Sequence, residues 1–423
     1  MITPLGRQRR FVFLQGPPGP LFFMLGEEMA ARGWEVHRIN LNGGDRGDWP
    51  GPATDYRGAH AEWPLFFDRF LRDHRITDVL LFGDCRPMHR AAHGMAKLRN
   101  IPTHVLEEGY IRPDWMTLER DGVNGHSTLS RDAEWFLAEA RTLPPLPSLP
   151  PITASFRRRV RDSYRYYHHV VTGQLRFPYY RAHRPGSIIV EGFGWVRKYF
   201  RRHRRARDAE GALQRIAGTD YFLFPLQLSS DYQIRAHSPF ADMQTAVDYV
   251  IESFVRHAPA GSRLLVKEHP LYSGFLDWKK YLRRRARAFG VDDRILHIDG
   301  GDLGMLSAGS RGMICANSTS ATMALAAGTP VIVLGRAIYD IAGITHQGPL
   351  DQFWTKPQPP DPEIYDAFRR VLHDRCLVRG GLASKSATDT LVSSIIERLL
   401  TEDRWKHKEP AIAKLLPAVH RAI

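Results

Sequence analysis

The chain is poor in the residue patterns that define several common classes of protein. It has three cysteines in 423 residues, Cys85, Cys315 and Cys376, with no C-x-x-C pair. An odd, widely spaced set supports neither a disulfide framework nor a structural zinc site, and fits a reducing cytoplasm. There is no D-x-D triplet, no H-E-x-x-H and no Walker motif, which disfavours a metal-diphosphate clamp, a metallohydrolase and a P-loop ATPase. No apolar run approaches the length of a bilayer-crossing helix. The apolar residues after the basic start are interrupted by Gln15-Gly16-Pro17-Pro18-Gly19-Pro20, so no signal-peptide core is expected there. A soluble or membrane-peripheral protein is the expectation.

What is present is a chain too long for one ordinary core, with 43% hydrophobic residues and a net charge of +14. The charge is local. Residues 157–207 hold fifteen Lys/Arg against Asp162 and Glu191, interleaved with Tyr164, Tyr166, Tyr167, Phe177, Tyr179, Tyr180, Trp195, Tyr199 and Phe200. That pattern suits an anionic membrane surface better than nucleic acid, for which no fold is evident; a solvated helical face is the plain alternative.

Alternating strand and helix patterns run from Arg10 to Leu106 and resume from Tyr221 to Leu334. Between them lies Leu-Pro-Pro-Leu-Pro-Ser-Leu-Pro-Pro at residues 143–151, a spacer that continues neither helix nor central strand. The expected organisation is therefore an α/β Rossmann-like domain over residues 1–150 on the acceptor side, and a basic, aromatic, membrane-facing helical segment over 151–218. A second Rossmann-like domain, binding the donor nucleotide, follows over 219–385, with a C-terminal helix and tail over 386–423. Two such domains facing across a cleft make the GT-B architecture, which by itself is only an analogy for function.

Polar residues at the carboxyl ends of the expected strands carry the chemistry, because open α/β sheets bind ligands at that edge. The run Leu264-Leu265-Val266-Lys267-Glu268-His269-Pro270 delivers Lys267 and His269 on one face, where both could neutralise a phosphate. Each also has a bland reading, as a solvated lysine and a structural histidine. Asn317-Ser318-Thr319-Ser320 stands between a buried strand and an alanine-rich helix, the setting of a phosphate site or of a simple helix cap. Glu107 and Glu108 end a strand and point to opposite faces, so one can enter the cleft as a general base. Asp231 supplies a second carboxylate of separate origin, or a turn cap.

Several of these stretches together resemble the capsule polysaccharide biosynthesis and export family of Gram-negative bacteria, KpsS/LipB type. They are Phe82 to Pro87, Glu107 to Trp115, Val123 to Ser127, Pro225 to Asp231, Lys267 to Pro270 and Asn317 to Ser320. The resemblance implies a GT-B, retaining β-Kdo transferase that moves Kdo from CMP-β-Kdo to a phosphatidylglycerol-type lipid, beginning the linker that carries a capsule chain. It places Asp231 as nucleophile and Glu108 or Glu107 as acid/base. CMP is held by His269 and Ser318 to Ser320, with Lys267, Pro270 and Asn317 around it. No cofactor or metal is expected, since the donor is itself a substrate. The implied partners are CMP-Kdo, an anionic lipid acceptor at the inner-membrane surface and a capsule biosynthesis or export complex, in a cytoplasmic, peripheral location. A different CMP-sugar transferase of sialyl type, and a non-catalytic protein docking on the export machinery, are the competing readings.

Overall fold

The computed structural model describes residues 8–152, 155–181, 202–228, 238–270 and 276–405, with residues 194, 197, 198, 200 and 272. Seven strands form the first sheet: β1 (Arg10–Phe13), β2 (Glu35–Asn40), β3 (Thr54–Asp55), β4 (Asp78–Phe82), β5 (Thr103–Glu108), β6 (Trp115–Arg120) and β12 (Leu377–Arg379), in the order β12-β6-β5-β4-β1-β2-β3. The second contains β7 (Tyr221–Pro225), β8 (Arg263–Lys267), β9 (Ile295–Ile298), β10 (Gly312–Cys315) and β11 (Val331–Val333), in the order β11-β10-β7-β8-β9. All pairings in the second sheet are parallel. In the first, β5–β6 and β6–β12 are antiparallel. Each sheet thus contains the doubly wound order in which the chain reverses direction beside its first strand, the two Rossmann-like units of a GT-B fold.

The strands form because their residues are apolar on both faces. Phe11 and Phe13 pack beneath the helix Leu21–Ala31, while Val12 and Leu14 pack against the helices Trp63–Asp73 and Pro87–Leu98. In β7, Phe222 and Phe224 face one core and Tyr221 and Leu223 the other. Both faces are covered, as parallel sheets require. Aspartates set the helix starts: Asp242 accepts the amide of Thr245 at 2.9 Å, and Asp277 that of Lys280 at 3.0 Å.

Two expectations change. The domain boundary at 385 falls too late, because β12 pairs with β6 in the first sheet. The helix Lys385–Trp405 then buries Leu391, Ile395 and Leu399 in the core that holds Phe11 and Phe13. Burial of each such side chain contributes roughly 1.5–3 kcal/mol, which holds the returning chain on the N-terminal domain.

The basic segment is the second. Its helix Phe156–Thr172 is docked on the N-terminal domain rather than free. The Tyr166 hydroxyl accepts from Gln15 Nε2 at 2.6 Å and Asn42 Nδ2 at 3.0 Å, and donates to Asp45 Oδ1 at 3.1 Å. The side chain is buried. Arg165 pairs with Asp48 at 2.9 Å, Arg176 with Asp55 at 2.5 Å and Arg159 with Glu108 at 2.6 Å. The opposite face still exposes Val160, Tyr164 and Val171, with Leu175 and Tyr179 beyond the helix end. Residues 182–193 of the segment lie outside the described residues.

Ser155 stands at the N-cap of this helix without a side-chain cap hydrogen bond.

Candidate active site

A cleft of about 330 Å³ lies where the carboxyl edges of the two sheets face each other. One lip is the end of β5, with Glu107 and Glu108. The other is built from the turns after β7, β8 and β10, with Gln227, Lys267, His269, Pro270 and Asn317 to Ser320. Nine of the ten residues singled out from the sequence line this one cavity. The tenth, Asp231, lies outside the described residues, as do Ser229 and Ser230.

Gln227 and Asn317 follow β7 and β10, the adjacent strands at which the second sheet reverses direction. Gln227 Nε2 donates to Asn317 Oδ1 at 2.9 Å, and the Asn317 amide donates to Gln227 Oε1 at 3.3 Å. Both side chains are buried. Asn317 therefore acts as a latch across the switch point, tying the end of β10 to the turn after β7. Beyond it, the Ser318 and Ser320 hydroxyls lie 2.7 Å apart, and Ser318 Oγ accepts the Ser320 amide at 3.2 Å. The Ser318 carbonyl accepts from the Tyr339 hydroxyl at 2.5 Å. Ser320 occupies the N-cap of the helix Ala321–Ala326 but makes no side-chain cap bond.

Lys267 is buried, and its ammonium donates to the Gly300 carbonyl at 2.7 Å. Burial lowers its pKa from the usual lysine range, partly offset by Asp302. His269 is pushed down to about 4 by burial and by the cations Lys198, Arg112 and Lys267. The imidazole is thus neutral at pH 7. It offers a hydrogen bond and no charge, which narrows the role read from the sequence. Pro270 presents its carbonyl to Lys198 Nζ at 2.5 Å, and Glu268, which also lines the cleft, lies 3.1 Å from His297 Nε2.

The two glutamates part as adjacent strand residues must. Glu107 Oε2 accepts from Asn124 Nδ2 at 2.8 Å. Glu108 is held between Arg112 at 3.0 Å and Arg159 at 2.6 Å. Asn124, Arg112 and Gln227 stood in stretches already singled out but had been given no role. Arg159 had been counted only as surface charge, and no local pattern signals its partner, 51 positions earlier.

Beside this lip, Asp84 accepts from Cys85 Sγ at 3.2 Å and from the Val123 amide at 3.2 Å, and lies 3.0 Å from His126 Nδ1. These three side chains are donor types that bind metals. Burial and the Asp84 carboxylate hold the Cys85 thiol far above the ordinary range, so it stands as a hydrogen-bond donor. None of the three cysteines forms a disulfide.

The two facing Rossmann-like units and the polar cleft between them define a GT-B protein. A family model described as "Capsule polysaccharide biosynthesis protein" matches residues 77–382. The chain is 34% identical over 380 residues to the capsule polysaccharide export protein KpsS of Escherichia coli, covering 88% of this chain and 96% of that protein. It is 33% identical over 369 residues to the capsule polysaccharide modification protein LipB of Neisseria meningitidis serogroup B, covering 85% and 88%. A solved structure, Thermosulfurimonas dismutans KpsC, described as a beta Kdo 2,7 transferase, aligns over 91% of this chain and 99% of that one at 13% identity, with a TM-score of 0.42. The chain belongs to the capsule polysaccharide biosynthesis family.

Proposed function

We propose that this protein is a metal-independent, retaining β-Kdo transferase that moves Kdo from CMP-β-Kdo to a phosphatidylglycerol-type lipid, starting the linker of a capsule polysaccharide. The observation that carries the reading is the single cleft lined by Glu107 and Glu108 on one lip and by Lys267, His269 and Ser318 to Ser320 on the other. Family membership supports a role in capsule assembly.

In this reading the Asp231 carboxylate attacks the anomeric carbon and CMP departs. Charge growing on its phosphate is met by the Lys267 ammonium, by His269 and by the hydroxyls of Ser318 to Ser320. An acceptor hydroxyl, relieved of its proton by Glu107 or Glu108, then attacks the covalent intermediate, and two inversions give net retention. Glu107 lines this cleft, whereas Glu108 also borders a second pocket and is engaged by two arginines. That favours Glu107 as the base.

Action on a lipid calls for a cytoplasmic, peripheral place at the inner membrane, within reach of a capsule assembly complex. No described helix is long and apolar enough to cross a membrane. The exposed face of the helix Phe156–Thr172, where Arg157 and Arg161 flank Val160 and Tyr164, suits an anionic bilayer surface.

The test is incubation of purified protein with CMP-Kdo and a fluorescent phosphatidylglycerol, followed by mass spectrometry of the lipid. A gain of one Kdo that disappears in Asp231→Asn is the expected result. An unmodified lipid, with intact donor and folded protein, refutes the acceptor assignment.

A further inference from the structure

We propose that the small apolar pocket beside Glu108 is the subsite for the acceptor's glycerophosphate diester, with Arg112 and Arg159 holding its phosphate. This inference rests on the reading of a phospholipid acceptor. The pocket, of about 210 Å³, shares Glu108 and Arg112 with the cleft and continues it away from the nucleotide side. Its wall is largely apolar, from Pro113, Trp115, Met116, Ile152 and Leu382.

Charge is concentrated at the rim the two cavities share. Arg112 reaches one oxygen of Glu108 and Arg159 reaches the other, at 3.0 and 2.6 Å. The pocket's charged residues are Arg112 and Arg159 against Glu108 and Asp114, and Asp114 Oδ1 is taken up by the Ile152 amide at 3.1 Å, so the two guanidiniums are the cations a phosphodiester meets at this rim. Arg112 Nε donates to the Gly109 carbonyl at 3.3 Å, and the two arginine side chains remain 52% and 43% exposed, so both guanidiniums stay open to solvent. Guanidinium forks are well suited to phosphate oxygens. A phosphate bridging Arg112 and Arg159 sets the glycerol hydroxyls beside the glutamates at the mouth of the cleft.

The pocket is held in place by backbone links. The Ser155 amide donates to the Ala383 carbonyl at 2.8 Å, the Gly380 amide to the Asp114 carbonyl at 2.9 Å, and the Ile152 amide to Asp114 Oδ1 at 3.1 Å. Its volume falls below the ~300 Å³ at which sites for drug-sized ligands begin, so it takes a headgroup and leaves the acyl chains outside. The helix that carries Arg159 turns Val160 and Tyr164 to solvent, which gives those chains an apolar, basic-flanked surface to lie against.

The experiment is calorimetric titration of the full chain with short-chain phosphatidylglycerol below its micellar concentration, and separately with inorganic phosphate. Arg112→Gln, Arg159→Gln and the double variant are compared with wild type. Arg165→Gln, which removes an ion pair of the same helix away from the pocket, controls for loss of docking. The expected result is lipid affinity lowered about tenfold or more by each pocket variant, further by the double variant, and unchanged in Arg165→Gln. Wild-type affinity in the double variant, no lipid binding by wild type, or phosphate binding as tightly as the lipid would each overturn the subsite. Lipid transfer assayed in parallel separates the two ideas: product formed with wild-type KM in the double variant removes the subsite and leaves the transferase standing. Absence of transfer together with absence of binding removes both.

Discussion

Replacing Tyr166 by Phe removes one buried oxygen atom and tests whether the basic helix is a fixed part of the N-terminal domain. The hydroxyl serves Gln15, Asn42 and Asp45 at once. Leaving a buried polar group without its partner costs about 1–3 kcal/mol, and more when one partner is charged. Three lost bonds would suggest a larger sum, but two of the orphaned groups have fallbacks. Asn42 Nδ2 lies 3.3 Å from Asp45 Oδ2, and Gln15 Nε2 lies 3.5 Å from the Tyr180 hydroxyl. The Asp45 carboxylate also keeps the Leu41 amide at 3.0 Å and the Arg38 guanidinium at 3.4 Å. The expected cost is therefore about 2 kcal/mol, or roughly 4–8 °C in the melting of the domain. Urea and thermal unfolding followed by circular dichroism measure it, with Tyr164→Phe on the exposed face as the neutral control. A loss below about 0.5 kcal/mol would show that the hydroxyl does not hold the helix on the domain, and would undo the fixed placement of Arg159 beside Glu108.

Glu119 provides a pH prediction. It is buried in contact with Tyr110 and Ser127, and burial raises its carboxyl to about 7. A raised folded-state pKa means that its stabilising contribution is complete below the unfolded value near 4.5 and is lost as pH rises through about 7. Wild type is expected to lose roughly 2–4 kcal/mol across that window relative to Glu119→Gln. Parallel melting curves of the two proteins from pH 4.5 to 7 would contradict this. The membrane face yields another: Val160→Ser with Tyr164→Ser is expected to weaken co-sedimentation with phosphatidylglycerol vesicles severalfold without lowering the melting temperature, since both side chains are exposed. Unchanged sedimentation would remove this helix from the bilayer contact.

Much of the site was legible because its residues end strands. Lys267 and His269, Asn317 to Ser320, and Glu107 with Glu108 each follow a short apolar run, and a parallel sheet gathers such ends on one edge. What could not be read was pairing across long separations. β6 holds few β-branched residues and follows a tight turn, so its antiparallel place beside β5 came only with the fold. The return of β12 to the first sheet depends on a partner about 260 positions earlier, and no local pattern encodes that choice. The cluster of arginines read as one membrane-facing charge for a similar reason. Composition counts cations but does not say which of them meet Asp48, Asp55 or Glu108.

By itself the sequence determined the α/β alternation, the two Rossmann-like units, the family and the identity of most cleft residues. These follow from periodicities of two and 3.6 residues, and from capping and strand-end chemistry that act over a few positions. Tertiary structure decided which face of the basic helix is buried, and which glutamate is engaged by arginine. It also decided that His269 is neutral, because burial and the charges of Lys198 and Arg112, from two distant segments, are added to that of Lys267 two positions away only in the folded chain.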